Sequence, residues 1–242
     1  MFPLDQAHME SGSGIPRTED LFDLGQTDHA RLFDSLDQAW EVLPRISDYL
    51  RANLRPQQLG QAHDQAVIEG DVFIGAGTVI EAGALVHGPA WIGRNCRIGH
   101  GATLRSNVIV GDDCVVGHAA ELKNAVLFNG CDVPHFNYVG DSVLGHSVHL
   151  GAGAVLSNYR LIRGNVNVRV GDRKIDSGLA KFGALIGDRT EIGCNSVLNP
   201  GAIIGRDCVL YPNVTFTGVL PARRLVKNRS ELAVVEKRET LE

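Results

Sequence analysis

Residues 68–128 read IEGDVF IGAGTV IEAGAL VHGPAW IGRNCR IGHGAT LRSNVI VGDDCV VGHAAE LKNAVL F, set here in blocks of six. The first residue of every block is aliphatic or aromatic: Ile68, Ile74, Ile80, Val86, Ile92, Ile98, Leu104, Val110, Val116, Leu122 and Phe128. Glycine follows the anchor at Gly75, Gly93, Gly99, Gly111 and Gly117, and small or apolar residues recur four places after it, as at Thr78, Ala84, Cys96, Ala102 and Cys114. An α-helix cannot keep a six-residue phase, and a simple alternating strand has no reason to place glycine beside its anchor. The phase returns at Leu144, Leu150 and Leu156, and again at Ile186, Ile192, Leu198, Ile204, Leu210 and Phe216. Each hexapeptide is then one short strand and a turn, and three close a triangular coil with the anchors inside. This is an all-β solenoid, in which stacked coils bury a core that one coil could not.

Residues about 18 apart should stack on adjacent coils, at the roughly 4.8 Å spacing of paired strands. His87, Arg105 and Lys123 each follow an anchor directly, so they should share one outward column. A guanidinium fork and an ammonium together suit a phosphate, but the same column also reads as an ordinary solvated face. Cys96, Cys114 and Cys208 take the small inward site, and the five cysteines read as reduced and structural.

Two interruptions stand out. The phase slips between Phe128 and Leu144, across Asn129–Tyr138, and His135 lies inside that slip. An imidazole titrates near neutrality and can take a proton from an amine or hydroxyl, although a packed or surface histidine is the plainer reading. A loop carrying Arg163, Arg173, Lys174 and Lys181 is inserted at about residues 160–183. Insertions in a solenoid tend to mark its binding face.

Outside the repeat, residues 1–27 read as a loosely ordered segment. From Asp28 to about Leu54, Leu32, Leu36, Trp40, Leu43, Ile46 and Leu50 fall on one helical face, predicting an N-terminal α-helical extension and linker over 28–64. The repeat domain is expected over 65–222, with a tail over 223–242. The chain has 242 residues, of which 44% are hydrophobic and 6% aromatic, and 28 are glycine. That balance suits tight turns around a narrow core. A net charge of −5 argues against nucleic-acid binding through bulk charge. No apolar run is long enough to span a membrane, and residues 1–16 lack the features of a secretory signal, so the expected location is the cytoplasm.

Several stretches carry a family resemblance. They are Leu104-Arg105, Ala120-Glu121-Leu-Lys123-Asn-Ala125, His135-Phe-Asn-Tyr138-Val-Gly-Asp141, Leu150-Gly-Ala-Gly-Ala154 and Ser157-Asn158-Tyr159. They resemble the acetyltransferase domain of bifunctional UDP-N-acetylglucosamine pyrophosphorylase/glucosamine-1-phosphate acetyltransferases. Asp176-Ser-Gly178, Lys181-Phe-Gly183 and Ile186-Gly-Asp188 look closer still to archaeal sugar-1-phosphate nucleotidylyl/acetyltransferases. The resemblance covers about 65–220. It implies a left-handed parallel β-helix that transfers an acetyl group from acetyl-CoA to an amino-sugar phosphate. It also implies a homotrimer with CoA bound between prisms.

Carried over, His135 matches the catalytic base. Arg105 and Lys123 match residues that hold the sugar phosphate, and Tyr138 another contact to it. Ala152 matches a backbone position near the thioester, and Asn158 and Tyr159 line the acceptor pocket. His149 stands where the bacterial family has a sugar-binding asparagine. Arg163 is the nearest candidate for a basic residue expected after Tyr159. By family analogy, Arg223, Arg224, Lys227 and Arg229 are candidates for the CoA phosphates; a solvated basic tail is the alternative. No metal is expected to be needed, and no nucleotidyltransferase activity is expected of this chain. Three other readings remain: a zinc-dependent γ-class carbonic anhydrase, a β-helix scaffold or regulatory protein without activity, and an acyltransferase using another small acceptor or another acyl donor. The first needs convergent imidazoles, and no two histidines here have that family's five-residue spacing.

Overall fold

The computed structural model describes residues 14–229. They form a parallel β-solenoid of nine rungs. Its ladder opens at Gln57–Gln58 and Gln61–Ala62 and closes at Leu225–Val226. It therefore starts inside the expected linker and runs past the expected end at 222. The anchor columns stack as the repeat predicts, with Ile68 on Val86, Val86 on Leu104 and Leu104 on Leu122. Inside lie the anchors and the small residues four places on, including the buried thiols of Cys96, Cys114 and Cys208. The Cys96 thiol is pushed up by its neighbour Cys114 and by burial, so it remains an unreactive S–H. It donates instead to the Gly111 carbonyl at 3.0 Å.

The turns are made by residues in the left-handed region. On one edge of the prism Gly77, Asn95, Asp113 and Gly130 hold φ between +54° and +76°. Glycine lacks the Cβ that opposes this conformation, and Asn and Asp tolerate it best among the others. The Asn95 side chain also donates to Asp113 one coil on, at 3.1 Å.

The phase slip lies elsewhere than expected. Leu127, Val133 and Val139 keep an unbroken six-residue step in the core, so 129–138 is regular. The single-residue deletions fall at Asn124 and Asp141, both with φ +46°. As a result Val108 pairs with Ala125 and Ala125 with Ser142, each 17 residues on. Leu127, not Phe128, is the inward anchor. Phe128 points out and packs between Phe22 and Phe33, with ring centroids 5.3 and 5.4 Å away.

Phe128 belongs to a second apolar cluster on the outside of one prism face. The outward side chains Ile109, Val126, Val143, Leu185 and Ile203 are covered by Leu21, Phe22, Phe33, Trp40, Leu43, Ile46 and Leu50. A fully buried side chain of this size contributes roughly 1.5–3 kcal/mol. The segment over 14–27 is accordingly not loose: Leu21 and Phe22 are buried, with a short helix at Thr18–Leu21. Residues 1–13 lie outside the described residues. Nor is 28–54 one helix. It breaks into 3₁₀ turns at Ala30–Phe33 and Ala39–Arg45 and an α-helix at Ile46–Asn53. Ser35 at φ +54° and Pro44 interrupt the hydrogen-bond ladder. His29 is buried there edge-on to Trp91, and burial lowers it to about 4, leaving a neutral imidazole.

The inserted loop forms an antiparallel hairpin, Asn167–Val170 with Arg173–Asp176. It lengthens one coil, so that Leu156 stacks on Leu198, 42 residues on. Val166 and Val168 fold back onto the outer apolar cluster. Buried Asp188 clamps the pieces together, accepting the N–H groups of Asp23 and His146 and pairing with Arg206 at 3.1 Å. Among the described residues, no helix is long and apolar enough to cross a membrane.

Candidate active site

His135 ends the strand Asp132–His135, on a prism edge that carries a column of imidazoles. His118 lies one coil before it, in register, and His100 one coil before that. The His100 ring sits 2.7 Å from the Ala82 carbonyl and the His118 ring 2.9 Å from the His100 carbonyl, each through Nδ1. A carbonyl only accepts, so each Nδ1 carries a proton. The two rings are parallel, with centroids 5.6 Å apart, not converging on a common point. The His135 backbone is fixed from both sides. Its N–H donates to the buried Asn137 side chain at 2.9 Å, and its carbonyl accepts from Gly153 of the next coil at 2.9 Å. The turn holding Ala152 is thereby seated directly over His135, and the imidazole is at an exposed position.

The chain then crosses the next face in the strand Tyr138–Leu144. At the far corner of that face the two deleted residues create a polar hub. Asp141, 6% exposed, accepts from Lys123 at 3.3 Å, from Asn124 at 3.0 Å and from Asn158 at 2.5 Å. Asn158 also donates to the Tyr138 hydroxyl at 3.1 Å. Burial pushes the Tyr138 phenol up, and the bond from Asn158 partly opposes this; the group stays protonated with its O–H free to donate. Gly140 is required by close approach. A Cβ there would lie 2.6 Å from both the Asn158 amide and the Tyr138 oxygen.

The cation column forms, but it is not bare. His87 faces Glu69 at 3.0 Å, Arg105 faces Glu121 at 3.0 Å, and Lys123 faces Asp141. The pairs differ in kind. Arg105 and Glu121 are half-exposed, and such a pair is worth about 0–1 kcal/mol, so the guanidinium can exchange its carboxylate for a ligand at small cost. Lys123 and Asp141 are mostly buried, and each compensates the other's charge.

Arg105, Lys123, Tyr138 and Asn158 therefore come together on the face that adjoins the His135 edge. Tyr159 is half-exposed at the root of the insertion beside Asn158, and Arg163 is out on the loop. His149 lies apart from the hub. It pairs with Asp132 at 3.1 Å on the strand that leads to the His135 edge from the other side. The basic residues of the last coil are split. Lys227 and Arg229 follow the strand Leu225–Val226 and, with Tyr211 and Asn213, line an open depression on the His135 edge. Arg223 lies on another edge, its N–H bonded to the Arg206 carbonyl. The Arg224 guanidinium turns back onto the carbonyls of Ala222 and Arg223.

The sequence reading missed Asp141 as the hub, along with Asn124, Asn137 and Glu121. A signal was present for the first two. Asn124, Asp141 and Asn158 are spaced by 17, the repeat of the shortened coils.

Comparison with known proteins places the chain in a family. The family model described as GMPPB C-terminal domain matches residues 86–178, and that described as bacterial transferase hexapeptide (six repeats) matches 183–218. A bifunctional sugar-1-phosphate nucleotidylyltransferase/acetyltransferase of Sulfurisphaera tokodaii is 36% identical over 64% of this chain and 39% of its own length. The bifunctional protein GlmU of Methanococcus aeolicus is 29% identical over 85% of this chain and 50% of its own length. The chain thus spans half or less of these bifunctional relatives. YaiX of Escherichia coli, an uncharacterized protein named as an acetyltransferase, is 36% identical over 73% of this chain and 77% of its own. The fold and these relatives define a hexapeptide-repeat β-solenoid transferase. The chain belongs to the hexapeptide-repeat acetyltransferases, and it is related to the acetyltransferase domains of the GlmU-type bifunctional proteins.

Proposed function

We propose that this protein is an acetyl-CoA-dependent N-acetyltransferase acting on an amino-sugar phosphate such as glucosamine-1-phosphate. The observation that carries the reading is the polar hub of Lys123, Tyr138, Asp141 and Asn158, with Arg105 beside it, on the face adjoining the His135 edge. Arg105 and Lys123 hold the acceptor's phosphate, and Tyr138 and Asn158 offer hydrogen bonds to the sugar. His135 removes a proton from the acceptor amine as its nitrogen attacks the thioester carbonyl. The backbone N–H of Ala152, whose neighbours Gly151, Gly153 and Ala154 donate within the solenoid, takes up the charge that develops on oxygen. The C–S bond then breaks and CoA leaves as the thiol, without a covalent enzyme intermediate. The distinguishing test is a screen of amino-sugar phosphates for CoA release with acetyl-CoA as donor. At least one hexosamine phosphate should be turned over, and its non-amino counterpart should not. Release from none of them would remove the reading.

The assembly proposed is a trimer, with acetyl-CoA in the groove between prisms. One outer face is already covered by residues 14–54, which leaves the two faces flanking the His135 edge for neighbouring copies. Light scattering should give three times the 26.1 kDa chain mass. A stable monomer with full activity would refute the shared groove.

A further inference from the structure

Phe136 sits in a backbone conformation that its counterparts on the same edge mostly meet with better-suited residues. The turn has φ +71° at Gly101, +52° at Ala119, +53° at Phe136, +73° at Gly153 and +56° at Asn195, so Phe136 is the one large side chain among these five. A bulky side chain is unfavourable there. Burial does not compensate, because Phe136 is 60% exposed. Glycine would serve the turn better, so the ring has a use outside the fold.

Its surroundings indicate what that use is. The ring meets His118 edge to face, with centroids 5.2 Å apart at 83°. His118 is itself held through Nδ1 to the His100 carbonyl, and Asn137 fixes the backbone on the other side. Phe136 and His118 thus form a rigid aromatic wall beside His135. The wall lies toward the coil that bears Glu121 and Lys123. The Ala152 turn lies on the opposite side of His135.

We propose that Phe136 and His118 form the surface against which the C–H face of the acceptor's pyranose ring packs. This rests on the amino-sugar reading above. Aromatic rings offer flat apolar area at low conformational cost, and a few polar groups around them fix the ligand's orientation. Here Tyr138, Asn158 and the cation column supply those polar groups.

The test compares wild type with Phe136→Gly and Phe136→Tyr by steady-state kinetics, thermal melting and light scattering. Phe136→Gly should raise the acceptor KM about tenfold. It should leave the acetyl-CoA KM within about twofold and the melting temperature unchanged or higher. Phe136→Tyr should restore the acceptor KM. If Phe136→Gly turns over the amino-sugar phosphate with an unchanged KM, this proposal fails while the functional reading stands. A lowered assembly mass with an unchanged acceptor KM assigns the ring to a subunit contact and equally overturns it. If wild type neither binds an amino-sugar phosphate by calorimetry nor turns one over, the functional reading fails and takes this proposal with it.

Discussion

Replacing His135 by alanine is expected to lower turnover by about 10²-fold or more, the usual worth of a positioned general base. The fold should survive the change. The backbone of His135 is held by Asn137 and Gly153, not by the imidazole, and the neighbouring anchors Val133 and Val139 are untouched. The loss should appear in kcat, with the KM values for both substrates little altered, because the proton is transferred only in the transition state. His118→Ala is the comparison: as part of the aromatic wall it should raise the acceptor's KM and leave kcat largely intact. His118 stands one coil away in register. A folded His135→Ala variant with wild-type turnover, and a collapse of rate in His118→Ala instead, would move the base by one coil.

What the sequence made legible, and what it hid, divides along physical lines. The anchors were legible because a six-residue apolar period has no other regular explanation, and the stacking of Ile68, Val86, Leu104 and Leu122 follows from it directly. The column of His87, Arg105 and Lys123 was legible for the same reason. The slip was misplaced because Leu127 and Phe128 are both large and apolar. Periodicity alone cannot say which points inward when a turn loses one residue. That ambiguity concealed the hub, since Asp141 joins Asn124 and Asn158 only once the coil is 17 residues long. The N-terminal segment was misread for a different reason. Its apolar spacing fits one helical face, but the target is the outer apolar face of a prism, and short 3₁₀ turns follow that surface better than a straight rod. The carboxylate partners were out of reach. Which of Glu121 and Asp141 meets which cation depends on side chains crossing between coils.

That pairing shapes the second large effect. Arg105→Ala is expected to raise the acceptor's KM by roughly ten- to a hundredfold, the worth of about 1.5–3 kcal/mol in charge-assisted hydrogen bonds. The KM for acetyl-CoA should stay nearly constant. Arg105 is the cleaner probe of the two cations. Its partner Glu121 is half-exposed and returns to water when the guanidinium is removed, so stability should hardly change. Lys123→Ala should weaken the acceptor similarly, but it also strands buried Asp141, and its melting temperature should fall. Lys123→Ala combined with Asp141→Asn should recover part of that stability without recovering affinity, which separates the structural loss from the loss of a phosphate contact. The two cations act on one ligand, so Arg105→Ala and Lys123→Ala together should cost less than the sum of the single effects. An amino sugar without its phosphate should be a poor substrate of wild type and nearly indifferent to either substitution. If the two alanine variants instead raise the KM for acetyl-CoA and leave the sugar unaffected, the column holds the phosphates of CoA, and the acceptor must approach His135 from the side of His149 and Asp132.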